Sequence, residues 1–170
     1  MMTVIIGTPD SGKSALAEEL ALQTGDPYRY YLATMKVMDD AAAERVAKHR
    51  TQRAGKGFVT VERERDISDL AESLDHAAQA TVLLECVSNL VGNEMHDDPQ
   101  WANLKDERFA EAVVSDIMHL AERVHHLIIV TNTYAQEDSG YDDDTRLYVN
   151  LLDKVNERLI LIADRTIDLR

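Results

Sequence analysis

The 170 residues predict an α/β fold, a mostly parallel sheet with helices on both faces. Three observations carry that expectation. Apolar runs of strand length alternate with longer segments whose apolar residues recur every three or four positions, the order of strand–helix–strand crossovers. Two runs, Thr81 to Cys86 and His126 to Thr131, are apolar almost throughout, as strands covered on both faces are. The first run leads into a glycine-bearing loop and then directly into a helical pattern.

The elements follow in order. Thr3 to Ile6 reads as the first strand, and the helix from about Lys13 to Gln23 places Leu16, Ala17, Leu20 and Ala21 on one face. Gly25-Asp26-Pro27 stops it. Tyr28 to Ala33 is a second strand. Asp39 or Asp40 can cap a helix running to about Arg53. Phe58 to Glu62 is a short strand. Asp66 to Gln79 is expected to be a helix with Ile67, Leu70, Ala71 and Leu74 inward. Residues 87–102 have no firm assignment, and Asp97-Asp98-Pro99 is expected to turn or to start a helix. Phe109, Val113, Ile117, Leu120 and Val124 mark a helix from Glu107 to Val124. His125-His126 marks the end of that helix beside the next strand. Gln136 to Asp143 reads as an acidic surface loop, Thr145 to Ala163 as a helix and Thr166 to Leu169 as a last strand. The run Leu159-Ile160-Leu161-Ile162 fits either helix or strand.

Composition bounds the function. With 45% hydrophobic and 29% charged residues the chain is globular, and its length suffices for a full core without metal or disulfide staples. Gly and Pro total only ten and form no linker, so one domain over residues 1–170 is expected. The net charge of −13 argues against a nucleic-acid binder, which needs a basic footprint. No apolar run approaches the length of a membrane span. A single cysteine excludes an internal disulfide, and the N-terminus lacks the charged flank of a secretory leader, so a cytoplasmic setting is expected.

Gly7-Thr8-Pro9-Asp10-Ser11-Gly12-Lys13-Ser14 matches G-x-x-x-x-G-K-[ST] after a strand and before a helix, the context this phosphate-binding loop requires. Its backbone N–H groups and the helix N-terminus converge on an anion. Lys13 adds a cation for the β- and γ-phosphates, and Ser14 offers a hydroxyl to Mg²⁺. The fold class is therefore P-loop NTPase-type. Such a site needs a carboxylate at the end of a neighbouring central strand, and Glu85 stands there. Cys86 reads as a small buried hydrophobe. Arg45, Lys48, Arg50, Arg53 and Lys56 gather five of the 18 basic residues into twelve positions. Arg45, His49 and Arg53, spaced by four, share a helix face, either as an anion site or as a solvated face. The acidic stretches Glu94–Asp98 and Glu137–Asp144 match no calcium loop and read as solvated loops.

Taken together, these residues resemble the bifunctional adenosylcobinamide kinase/adenosylcobinamide-phosphate guanylyltransferase family of cobalamin biosynthesis. The resemblance runs along nearly the whole chain. It rests on the N-terminal P-loop, Tyr31-Leu32-Ala33-Thr34, Arg45-Val46-Ala47-Lys48-His49-Arg50, Thr60-Val61-Glu62, Leu83-Leu84-Glu85-Cys86, Val130-Thr131-Asn132, Arg146-Leu147 and Val155-Asn156-Glu157-Arg158-Leu159. The resemblance implies phosphorylation of the corrinoid's aminopropanol hydroxyl by ATP or GTP, then transfer of GMP from GTP through a guanylylated histidine. It implies His49 as that nucleophile, Lys13 and the loop as the phosphate cradle, and Ser14 and Glu85 as Mg²⁺ ligands. Arg45, Lys48 and Arg53 would face phosphate, and Glu62 would accept from guanine. A homotrimer is the implied assembly. The sequence departs from the family where Thr8 replaces a glycine and Asp10 an arginine, and again over Asn132-Thr133-Tyr134-Ala135-Gln136. Two alternatives stay open: a P-loop kinase or nucleotidyltransferase with another small substrate, and a GTP-binding regulator without turnover.

Overall fold

The computed structural model describes residues 1–97, 107–135 and 140–170. Six strands form one sheet: β1 (Met2–Gly7), β2 (Tyr28–Ala33), β3 (Phe58–Glu62), β4 (Ala80–Glu85), β5 (His126–Asn132) and β6 (Arg165–Leu169). Their order is β3-β2-β4-β5-β1-β6, and every neighbouring pair is parallel. Among the described residues five α-helices accompany them: α1 (Lys13–Gln23), α2 (Asp40–Arg53), α3 (Val87–Asp97), α4 (Glu107–Arg123) and α5 (Asp143–Ile162).

The period-two alternation of the strands divides the core. Val4, Leu32, Val82, Leu84, Leu127 and Ile129 point to the face covered by α3, α4 and α5. Ile5, Tyr31, Leu83, Ile128 and Val130 point to the other, where Ala17 and Ala21 of α1 pack closely. The central strands β1, β4 and β5 are buried on both faces, which is why their sequences read as nearly unbroken apolar runs, whereas the edge strands β3 and β6 are largely exposed.

Four expectations need correction. The helix over Asp66 to Gln79 is instead two 3₁₀ segments, Ile67–Ser73 and Ala77–Gln79. Its inward residues are nevertheless buried as the spacing requires. Tertiary contacts interrupt the helix. The Tyr30 hydroxyl donates to the Asp75 carbonyl at 2.8 Å, and Tyr28 stacks on His76, which sits at a positive φ of 54°. Next, the stretch from Glu94 is no solvated loop, because Glu94 lies buried on α3 and accepts the Asp66 N–H at 2.8 Å. Likewise Asp142 caps α5, accepting from the Thr145 N–H, so the helix begins at Asp143 rather than Thr145. Finally, β4 is not beside β1; β5 lies between them. The run Leu159 to Ile162 is helical, with Leu159 buried and Leu161 exposed. Residues 98–99 of the expected turn, 100–102 of the unassigned stretch and 136–139 of the acidic loop lie outside the described residues. Among the described residues no helix is long and apolar enough to cross a membrane.

Candidate nucleotide site

β1 ends at Gly7 against β6, where a side chain has no room: a Cβ there would come within 2.5 Å of the Ser11 Oγ and 3.1 Å of the Leu169 Cβ. The loop then turns through Asp10 (φ 60°) and Gly12 (φ 85°) into α1. No side chain caps α1, and its first turn carries no acidic residue, so its leading N–H groups present a positive pole to the loop. Lys13 folds back over the loop. Its ammonium donates to the Thr8 carbonyl and to the Ser11 Oγ at 3.2 Å. It is only 6% exposed, and burial lowers its pKa below the usual lysine value, opposed by the charges of nearby groups including Glu85 and Asp10.

Two strand widths separate β1 from β4, yet the Ser14 hydroxyl donates to Glu85. The reach exists because α1 leaves the end of β1 and packs across β5 onto β4. Tyr31, on neighbouring β2, donates its hydroxyl to the other Glu85 oxygen at 2.8 Å. Burial, with Glu85 beside it, pushes the Tyr31 phenol far up, so it remains a donor. The Arg53 guanidinium stacks on the same ring, 3.4 Å from its centroid.

α2 supplies the opposite wall. Asp39 caps it, accepting from the Ala42 N–H at 2.7 Å. Its far end is tied down by buried Glu18 of α1, which accepts from Gln52 at 3.2 Å and from Lys56 at 3.0 Å. Arg45, Lys48, His49 and Arg53 thereby face the P-loop across one cleft of about 760 Å³. Pro9, Asp10, Ser11, Gly12, Lys13, Ser14, Glu62 and Glu85 line it too, whereas Gly7 and Thr8 do not. The His49 Nδ1 and the Arg53 Nε and Nη1 are buried without a hydrogen-bond partner among the described residues. Arg53 is only 6% exposed, so its Nε and Nη1 are buried donors for which no described residue supplies an acceptor. Glu62 lies at the exposed rim, paired with Arg50 at 2.7 Å.

Tyr31 is the residue that sequence reasoning missed as part of this constellation. It entered only inside a resembling segment. With β2 known to pair with β4, alternation puts Tyr31, Leu83 and Glu85 on one face; the strand order was the missing signal. Asn89, Asn132 and Tyr134 also line the cleft. Asn132 is oriented by Ser88 at 2.9 Å, and its carbonyl accepts from buried Asn156 of α5 at 3.0 Å. A second cavity of about 650 Å³ shares Ala33, Met35, Val46 and Glu62 with the cleft.

Residues 3–168 match the family model described as cobinamide kinase / cobinamide phosphate guanyltransferase. The chain is 29% identical over 172 residues to the bifunctional adenosylcobalamin biosynthesis protein CobU of Salmonella typhimurium, covering 96% of this chain and 92% of that protein. It is 30% identical over 175 residues to the protein of the same description from Escherichia coli strain K12, with the same coverage of 96% and 92%. It is 34% identical over 135 residues to the bifunctional adenosylcobalamin biosynthesis protein CobP of Pseudomonas aeruginosa, covering 78% of this chain and 71% of that protein.

Proposed function

The chain belongs to the cobinamide kinase / cobinamide phosphate guanyltransferase family, and from that premise we propose that it phosphorylates adenosylcobinamide and then guanylylates the product through His49. The family is one of nucleotide-using transferases, so the chain is an enzyme of the kinase and guanylyltransferase class. The observation that carries the residue assignment is that His49 shares one cleft with Pro9 to Ser14 of the P-loop, beside an arginine with unmet donors.

In the kinase half, Lys13, the loop amides and the α1 N-terminus hold the triphosphate of ATP or GTP. The corrinoid's aminopropanol oxygen attacks the γ-phosphorus, the bond to the β–γ bridging oxygen breaks, and the nucleoside diphosphate leaves. The hydroxyl proton passes to water. In the guanylyl half, a ring nitrogen of His49 attacks the α-phosphorus of GTP and pyrophosphate leaves, which forms a P–N bond. A phosphate oxygen of the corrinoid product then attacks the same phosphorus, and the P–N bond breaks to restore His49. Arg45 and Arg53 face the phosphates, and the Glu62 carboxylate is an acceptor for guanine N1–H and N2–H.

The paired Ser14 hydroxyl and Glu85 carboxylate are the hard oxygen donors that suit Mg²⁺. Held there, the ion offsets phosphate charge. Tyr31 orients Glu85 for it. On this reading the 170 residues form one nucleotide-binding domain, working in the cytoplasm as a homotrimer.

The test is GTP labelled at the α-phosphate, incubated with the protein and Mg²⁺. Acid-labile, base-stable label is expected on the wild type and none on His49→Ala or Lys13→Ala. A wild type that binds GTP without taking label overturns the guanylyl intermediate.

A further inference from the structure

A second constellation lies at the opposite pole of the sheet. Asp26 is in the turn between α1 and β2, and its carboxylate is only 7% exposed. Both of its oxygens are used. The His125 Nδ1 lies 2.7 Å from Oδ1 and the His126 Nδ1 2.7 Å from Oδ2. The Thr81 hydroxyl also donates to Oδ2, at 2.7 Å. Consecutive strand residues ordinarily face opposite ways. Here His125 precedes β5, its N–H bonded to the Ala80 carbonyl and its carbonyl accepting from the N-terminal ammonium, so both rings reach one side.

We propose that Asp26, His125 and His126 form a binding site for a divalent transition-metal cation, with zinc the best fit. Two imidazoles and one carboxylate are a borderline donor set that suits Zn²⁺ rather than Mg²⁺ or Ca²⁺. One ligand atom from each residue falls within 4.8 Å of the others. A tetrahedral zinc takes nitrogen and oxygen donors at about 2.1 Å, which sets them roughly 3.4 Å apart. The two 2.7 Å hydrogen bonds must therefore open by about 0.7 Å to admit it. His125 has the freedom to do so, because its side chain is 57% exposed. Its solvent side leaves the fourth position to water. The Thr81 hydroxyl, donating to Oδ2, fixes the Asp26 carboxylate in place as the oxygen ligand. The bound ion would join the α1–β2 turn to the start of β5. From Thr81 to Glu85 the strand rises ~13 Å, so this site is separate from the P-loop end.

Metal and hydrogen bond compete for the same Nδ1 atoms. Facing an ionised carboxylate, each neutral ring carries its proton on Nδ1. A metal on Nδ1 requires the proton on Nε2, with no net proton lost. That switch is the readout. Tag-free protein, stripped with a chelator, is titrated with Zn²⁺ against a chromophoric competitor, while imidazole ¹⁵N shifts report the tautomers. The expected result is one Zn²⁺ per chain, a change of His125 and His126 from Nδ1–H to Nε2–H, and affinity weaker by about tenfold or more in His125→Gln and His126→Gln. Zinc binding that both variants retain in full, or rings that stay Nδ1–H at saturating zinc, would overturn the site and leave a hydrogen-bonded staple. The tautomer measurement uses wild-type protein, so it decides even if a variant misfolds.

Discussion

Lys13 has a charge that costs free energy to keep. In the free protein it is nearly enclosed, and its ammonium is held by one carbonyl and one hydroxyl rather than by a carboxylate. Burial pulls its pKa below 10.5. A bound phosphate restores the charge, since an anion beside an ammonium raises its pKa. Between the two values the free protein has lost a proton that the complex keeps. Nucleotide binding in the alkaline range should therefore take up a proton, and apparent affinity should fall as pH rises through that window. Calorimetry in buffers of different ionisation enthalpy measures the uptake; Lys13→Arg, which does not titrate there, should abolish it.

Among the helices, α2 is the least embedded. It buries only Ala42 and Arg53, against six residues of α4. Its hold on the rest of the molecule is polar, through Glu18 and the Tyr31 ring at its C-terminal end, while the Asp39 cap secures its own first turn. A helix held this way opens locally more often than one packed on a core face. Asp39→Ala should cost about 1 kcal/mol in α2. Hydrogen exchange should quicken in α2 while protection in α4 stays unchanged, and nucleotide binding should restore part of the protection. Because α2 carries His49, the same variant should slow the labelling of His49 more than it slows the kinase reaction.

Across the whole molecule, stability comes from a central sheet buried on both faces. Leu84, in β4, is fully enclosed on the larger face. Leu84→Ala should cost about 2–5 kcal/mol, the loss of transfer free energy plus a cavity the surrounding strands cannot close. Val59 lies on the edge strand β3 and is 58% exposed, so Val59→Ala should stay within about 0.5 kcal/mol. Urea midpoints for the two variants make the comparison.

Local chemistry was legible in the sequence wherever one stretch of chain suffices. The P-loop, an Asp cap at residue 39 or 40, the apolar strands and the inward faces of α1 and α4 each follow from a short pattern whose physics is local. The Arg45, His49 and Arg53 face was legible too, because helical spacing alone aligns it. What local pattern could not supply was anything that depends on which strands are neighbours. β5 stands between β1 and β4, so Glu85 meets Ser14 only because α1 crosses the sheet, and Tyr31 joins Glu85 only through the β2–β4 register. The break at His76 and the burial of Glu94 depend on partners far along the chain. Asp26 and the two histidines are about a hundred positions apart, and none of the three marks a site alone. Sequence determines periodicity and propensity, which act over a few residues; only the folded sheet decides which side chains share a cleft.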